Sequence, residues 1–289
     1  MNAQEFVGRI SAAELIARRE DGDVVVLDAR WGLDDPGAGR RAYEESHVPG
    51  ALYVHLEDDV SDPDAAVSGQ MPPPRRLAEA FEGLGVGDDT FVVAYDDDVI
   101  YTAARVVWML AALGHDLAAV LDGGWPAWLA AAGPVDDVPA PPPARGRITT
   151  EPRPRLRRER ADVQRALAAG LPLLDCRMDE TWEAAGEHIP GARRLPAPDL
   201  TDLKTGGLER PERTRERLTK LGLAPDDEIV LYCGGGISAA RAWLALSAAG
   251  YRRAAVYDGS WSEWSSDPDL PKAQHRKPAG RGRQRSSHA

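Results

Sequence analysis

The chain has little cysteine and no long apolar run. Only two of its 289 residues are cysteines, Cys176 and Cys233. Two cysteines are too few for a disulfide framework or a cysteine-rich zinc site, so we expect two free thiols and no bound metal. No apolar stretch reaches the roughly 18 residues of a membrane span, and the first residues lack a charged and then apolar leader. We therefore expect a cytoplasmic protein that does not bind membranes.

Basic residues are fewer than acidic ones. The chain has 46 aspartate and glutamate residues against 35 lysine and arginine residues, which gives a net charge of -11. An acidic surface repels the phosphates of nucleic acids and anionic lipids, so we expect neither as a partner. The 43% of hydrophobic residues is ordinary for a globular protein. At roughly 100–200 residues per domain, the length predicts two domains.

An internal repeat with a period of about 140 residues determines the organisation. Three pairs of segments match: VVLDAR (25–30) with PLLDCR (172–177), SHVPGA (46–51) with EHIPGA (187–192), and residues 84–128 with residues 221–264. A period this long excludes a solenoid of short repeats. The chain is therefore a duplicated domain.

Each copy alternates short β-branched runs with helical patterns. VVVLDA (24–29) and FVVAY (91–95) suit buried strands, and TAARVVWMLAALG (102–114) suits a helix. This alternation predicts an α/β fold in which each domain is a parallel sheet with helices on both faces. We predict a first domain at residues 1–132, a proline-rich linker at 133–155, a second domain at 156–271 and a disordered basic tail at 272–289.

The two copies differ in the loop that follows one predicted strand. The second copy has Cys233 there and the first copy has Asp96. Ligands bind at the carboxyl ends of parallel strands. Glycines let backbone N–H groups form an anion-binding nest, and the start of the next helix adds partial positive charge. These groups favour the thiolate, which is the nucleophilic form of cysteine. Cys233 is therefore the candidate nucleophile, and the candidate anion-binding loop is Gly234, Gly235, Gly236, Ile237 and Ser238.

Three features resemble the tandem-domain rhodaneses, the thiosulfate and 3-mercaptopyruvate sulfurtransferases. They are CGGGISA (233–239), the paired HVPGA and HIPGA segments, and YDGSWSEW (257–264). The resemblance covers roughly residues 5–271. It implies two tandem rhodanese-like domains, of which the first is silent and the second forms a persulfide on its cysteine. Asp96 fits this pattern, because an aspartate cannot form a persulfide.

By this resemblance, Cys233 takes a sulfane sulfur from a small-molecule donor. It then passes the sulfur to a thiol, cyanide or thioredoxin-like acceptor, in a double displacement that predicts ping-pong kinetics. No metal or organic cofactor is implied. The donor stays open between thiosulfate and 3-mercaptopyruvate. The alternative is a catalytically weak rhodanese-like sulfur carrier or interaction protein, favoured by Thr181 where the family tends to have a substrate arginine.

Four residues are candidates for binding the donor. Arg177 ends the Asp-x-Arg motif of the second copy, and Arg193 and Arg194 follow HIPGA. His47 lies in the matching turn of the first copy. The competing interpretations are a solvated surface pair for the two adjacent arginines and a loop-fixing role for His47. Cys176 is interpreted as a core residue, with a resolving thiol for Cys233 as the alternative.

Overall fold

The computed structural model describes residues 7–32, 34–97 and 101–275, which form two domains of the same architecture. The elements of the first domain are β1 (Val7–Ile10), α1 (Ala12–Arg18), β2 (Val24–Asp28), α2 (Ala38–Glu45), β3 (Leu52–Tyr53), α3 (Pro74–Gly83), β4 (Phe91–Tyr95), α4 (Tyr101–Leu113), β5 (Ala118–Leu121) and α5 (Gly124–Ala130). Those of the second domain are β6 (Arg157–Arg158), α6 (Arg160–Ala168), β7 (Leu173–Asp175), α7 (Asp179–Ala185), β8 (Glu187–His188), β9 (Arg193–Arg194), α8 (Pro211–Lys220), β10 (Ile229–Tyr232), α9 (Ile237–Ala248), β11 (Ala254–Tyr257), α10 (Ser260–Ser266) and β12 (Ala273–Gln274).

The two main sheets have equivalent strand orders. The first sheet runs β1-β5-β4-β2-β3 and the second runs β6-β11-β10-β7-β9. Every neighbouring pair in these sheets is parallel. The predicted tandem α/β fold is confirmed. Because β4 and β10 are the middle strands, the loops that leave their carboxyl ends lie at the centre of each domain.

One apolar core is shared by the two domains. It contains Phe81 of α3 and Trp108 of α4, together with Leu218 of α8 and Trp243 of α9. Helices α4 and α9 pack directly against each other between the sheets. The outer faces of the sheets have separate cores, under α1 and α5 in the first domain and under α6 and α10 in the second. Each sheet therefore has helices on both faces, as predicted.

The segment between the domains runs along the surface of the first domain. The N–H of Gly146 donates to the carbonyl of Glu82 at 2.8 Å, and the N–H of Glu151 donates to the carbonyl of Leu113 at 2.9 Å. A short 3-10 helix, Pro154–Leu156, then leads into the second domain. In the described part of the chain, no helix is both long and apolar enough to cross a membrane.

The described structure extends beyond residue 272, where the sequence predicts that a disordered tail begins. Ala273 and Gln274 form β12, which pairs antiparallel with β8. The ring of His275 stacks on that of Trp182 in α7. These contacts explain why the chain is held there although it has no apolar periodicity. The rest of the predicted tail, residues 276–289, lies outside the described residues.

Candidate active site

A cavity of about 590 Å³ lies between the domains, at the carboxyl ends of β4 and β10. Its lining residues are Trp31, Asp96, Asp97, Tyr101 and Thr102 of the first domain and Arg177, Met178, Thr181, Cys233, Gly234, Gly235, Ile237 and Ser238 of the second. Clefts between domains are common ligand sites. Both copies of the duplicated domain therefore build this site.

Cys233 is held by the loop that joins β10 to α9. Its Sγ accepts a hydrogen bond from the N–H of Gly236 at 3.1 Å. Gly236 has a φ of +85°, in the left-handed region that favours glycine. Cys233 as a residue is only 2% exposed, although it lines the cavity. The structure thus brings together Cys233 and the predicted loop, with Gly236 donating to the sulfur and the other loop residues lining the cavity.

Ser260, just past the end of the neighbouring strand β11, supports Cys233 and is not among the site residues predicted from the sequence. Its Oγ accepts the N–H of Cys233 at 3.1 Å and donates to the carbonyl of Tyr257 at 2.8 Å. Ser260 is fully buried and has a φ of +52°, which is strained for a serine. The matching residue of the first copy is Gly124, with a φ of +58°. The change from DGG to DGS between the copies was the available signal.

Asp96 uses its side chain differently from Cys233. Its Oδ2 accepts the hydroxyl of Thr102 at 2.9 Å and the N–H of Ala103 at 3.0 Å. The carboxylate therefore caps the first turn of α4, where it also interacts favourably with the helix dipole. The first-domain loop holds an anion of its own, in addition to lacking a thiol.

Cys176 lies in the core directly after β7. It is fully buried, and its N–H donates to the carbonyl of Tyr232 at 2.7 Å. Burial raises the pKa of its thiol well above the ordinary value. A thiol that stays protonated is a poor nucleophile. These facts support the core interpretation of Cys176.

Arg177 is the one donor-binding candidate that lines the cavity in the described part of the chain. Its Nη2 bonds to Oδ2 of Asp175 at 2.6 Å and to the carbonyl of Glu187 at 2.9 Å. Its guanidinium lies over the ring of Trp261, 4.8 Å from the centroid. The side chain is therefore fixed, with much of its charge balanced by Asp175.

The structure does not bring the other three candidates to Cys233. Arg193 in β9 donates to the carbonyl of Leu221. Arg194 pairs with Asp179 at 2.5 Å and lines a separate surface groove. Arg194 also donates to the carbonyl of Arg177 at 2.9 Å, so it holds the loop after β7 instead of lining the cavity. His47 is fully buried, with Nδ1 2.6 Å from the carbonyl of Tyr43, which supports a loop-fixing role.

The described side chains that line the cavity carry no net positive charge, because two carboxylates face one cation. Asp96 and Asp97 contribute carboxylates, and the Oδ1 of Asp97 lies 3.6 Å from Nη1 of Arg30. Among the lining residues that the structure describes, Arg177 is the single cation. Within residues 7–32, 34–97 and 101–275, no group of three His, Cys, Asp or Glu side chains could hold a metal ion.

Comparison with known proteins agrees with this arrangement. The profile of the rhodanese-like domain matches residues 11–131 and 159–267. The chain belongs to the rhodanese family. This rhodanese is 38% identical to SseB of Mycobacterium tuberculosis, by its name a thiosulfate sulfurtransferase, over 91% of this chain and 95% of SseB. It is 33% identical to the human 3-mercaptopyruvate sulfurtransferase, over 88% of this chain and 89% of the human protein.

A solved structure shows the same fold. The rhodanese superimposes on SseA of Escherichia coli, described as a 3-mercaptopyruvate sulfotransferase with the rhodanese fold, with a TM-score of 0.79. The two are 26% identical, and the match covers 88% of this chain and 99% of SseA. The predicted membership of the tandem-domain rhodaneses is confirmed.

Proposed function

We propose that this rhodanese is a sulfurtransferase that carries the transferred sulfur as a persulfide on Cys233. The observation that supports this best is the position of the thiol, at the interdomain cavity and 3.1 Å from the N–H of Gly236. That N–H stabilises negative charge on the sulfur. The loop residues Gly234, Gly235, Ile237 and Ser238 line the space into which a second sulfur atom would extend.

The reaction takes place in two balanced steps. The Cys233 thiolate attacks the sulfur of the donor and forms an S–S bond. With 3-mercaptopyruvate, the S–C bond breaks, its electron pair stays on carbon, and the thiol proton of the donor ends on that carbon to give pyruvate. With thiosulfate, the S–S bond breaks and sulfite leaves. A thiolate or cyanide then attacks the terminal sulfur of the persulfide and releases the Cys233 thiolate, as expected for covalent catalysis.

We propose 3-mercaptopyruvate rather than thiosulfate as the better donor. No lysine or arginine lies between Cys233 and Arg241, and the described lining residues include two carboxylates and one cation. A dianion is repelled more strongly than a monoanion by this charge distribution. Arg177 is the proposed contact for the donor carboxylate, since it lines the cavity. The relatives are named for both donors, so their names do not decide between them.

The remaining parts of the proposal rest on the sequence. They are a thiol, cyanide or thioredoxin-like acceptor, a cytoplasmic location, the absence of nucleic acid and membrane partners, and the division into residues 1–132, 133–155, 156–271 and 272–289. The sulfur-carrier alternative has one observation in its favour. Thr181 lines the cavity where the resemblance leads one to expect an arginine.

Steady-state assays with each donor and cyanide test the proposal, with thiocyanate as the product measured. We expect a higher kcat/KM for 3-mercaptopyruvate, with little change when the salt concentration is raised. The Cys233 peptide should become heavier by one sulfur atom after treatment with donor alone. A preference for thiosulfate contradicts the donor assignment. A peptide that takes up sulfur without turnover supports the carrier alternative, and a peptide that never takes it up contradicts the persulfide.

A further inference from the structure

A buried ion pair crosses the domain interface beside the Cys233 loop. Arg105 of α4 and Asp258, which follows β11, are both fully buried, and Nη2 of Arg105 lies 2.5 Å from Oδ1 of Asp258. The same Nη2 donates to the carbonyl of Gly69 at 2.9 Å. Oδ2 of Asp258 accepts the N–H of Met71 at 2.9 Å. The first domain therefore holds an aspartate of the second domain with both a side chain and a loop.

The pair lies directly beside the Cys233 loop. A Cβ added to Gly236 would lie 2.8 Å from Nη1 of Arg105 and 3.0 Å from the carbonyl oxygen of Asp258. Gly236 is the residue whose N–H donates to the sulfur of Cys233. Asp258 also leads through one glycine to Ser260, whose hydroxyl accepts the N–H of Cys233. Arg105 and the backbone of Asp258 thus lie beside Gly236, and Asp258 is two residues from Ser260.

Stability alone is a weak reason for this pair. Burying two charges is costly, and the cost is repaid only when the remaining polar atoms are satisfied. Nε and Nη1 of Arg105 are buried without a hydrogen-bond partner among the described residues. Unsatisfied buried N–H groups are destabilising and call for an explanation. Of these two atoms, Nη1 is the one that lies against the bend at Gly236.

Asp122 of the first domain can be compared with Asp258 of the second. Asp122 matches Asp258 in the repeat, and its Oδ1 accepts the N–H of Leu208 from the second domain at 2.9 Å. Its Oδ2, however, pairs with Arg9, whose side chain is 40% exposed. The two aspartates therefore hold the domains together in the same way, and Oδ2 of Asp258 likewise lies 3.3 Å from Nε of the partly exposed Arg157. Asp258 has in addition a fully buried partner, Arg105, beside the reactive loop.

We propose that Arg105 is a positioning residue for Cys233. Through Asp258 and the bend at Gly236, the silent domain holds the reactive loop in the geometry that aligns the thiol with the donor. This inference rests on the proposed function. A displacement of about 1 Å in a reacting group can reduce the rate by about a hundred-fold. The loss should therefore fall on kcat and on the rate of sulfur loading, because Arg105 is not among the residues that line the cavity.

Four variants test the inference in the full chain: Arg105→Met, Arg105→Lys, Asp258→Asn and the matched control Asp122→Asn. Circular dichroism melting shows which of them are folded. We expect Arg105→Met to lose about a hundred-fold in kcat, with KM nearly unchanged, and Arg105→Lys to recover part of the loss. Asp258→Asn should also lower kcat, whereas Asp122→Asn should not. Unchanged kcat in Arg105→Met, or an equal loss in Asp122→Asn, overturns the positioning role.

A second readout does not depend on sulfur transfer. The rate at which iodoacetamide alkylates Cys233 is followed by peptide mass. It reports how accessible and how nucleophilic the thiol is before any sulfur donor is added. We expect Arg105→Met and Asp258→Asn to change this rate and Asp122→Asn to leave it unchanged. If the unaltered protein transfers no sulfur, the proposed function fails, yet this comparison still decides the inference. Equal alkylation rates in all variants overturn it.

Discussion

The side chains of Asp96 and Cys233 line one cavity from equivalent positions in the two domains. Each directly follows the middle strand of its sheet. The carboxylate of Asp96 accepts the N–H of Ala103 in the first turn of α4, whereas the thiol of Cys233 accepts the N–H of Gly236 just before α9. The duplicated loops have therefore diverged into one that caps a helix and one that presents a thiol.

Replacing each of the two cysteines in turn should affect the sulfurtransferase activity differently. We expect Cys233→Ser to abolish thiocyanate formation, because a hydroxyl at this position does not form a persulfide. Cys176→Ser should keep most of the activity, since its thiol is fully buried with a raised pKa. The assay uses 3-mercaptopyruvate and cyanide, and circular dichroism shows whether each variant is folded. A folded Cys176→Ser protein as inactive as Cys233→Ser would contradict the single-nucleophile mechanism.

Adding a cation to the cavity should change the donor preference. Thr181 lines the cavity, and we expect Thr181→Arg to raise kcat/KM for thiosulfate by about tenfold relative to 3-mercaptopyruvate, which corresponds to about 1.4 kcal/mol. The reason is that a second positive charge attracts a dianion more strongly than a monoanion. Thr181→Gln is the control for side-chain length. If both variants shift the ratio equally, charge is not what selects the donor.

The second domain should lose activity when it is separated from the first. Residues 156–271 alone would expose the face of α9 that packs against α4, including Trp243 of the shared core. Each large apolar side chain that is left exposed in place of buried costs about 1.5–3 kcal/mol. We expect the separated domain to aggregate or to turn over weakly, as measured by thiocyanate assay and light scattering. Producing both halves together is the control, and full activity of the second half alone would refute the prediction.

Acid should destabilise the segment at β12. Desolvation lowers the pKa of His188; Asp175 opposes this shift, and Arg177 and Arg194 add to it. Desolvation and the nearby His188 lower the pKa of His275. Because the folded protein binds these protons less readily than the unfolded chain, the free energy of unfolding should fall as the pH decreases below about 6.5. Urea unfolding at several pH values measures this dependence.

The matched variant for this pH dependence is His275→Gln. Burial also lowers the pKa of His115 in the first domain, so the unaltered protein and the variant share that contribution. The difference between their pH profiles reports the segment at β12. We expect a shallower fall in the variant. Identical profiles would mean that protonation of His275 does not affect stability.

The repeat predicts most of the fold because strand periodicity and strand-end motifs are local properties of the sequence. Cys233 and its loop could be found for the same reason, since their residues are contiguous. The placement of Arg193 and Arg194 could not, because it depends on their contacts with Leu221 and with the loop after β7. Arg105 could not be found either, because its partner Asp258 is 153 residues away and no local pattern links them. Contacts between the two copies are the part that the sequence leaves undetermined.

The capping role of Asp96 makes the first-domain loop difficult to convert into a second reactive site. Asp96→Cys would restore a thiol but would leave the N–H of Ala103 without its acceptor. Gly124 has no hydroxyl to bond to the amide of residue 96, whereas Ser260 bonds to that of Cys233. Asp97 would still add a carboxylate where the second copy has Gly234. A second reactive thiol in this chain therefore needs several simultaneous changes, because Asp96→Cys made alone removes a helix cap and lowers the stability.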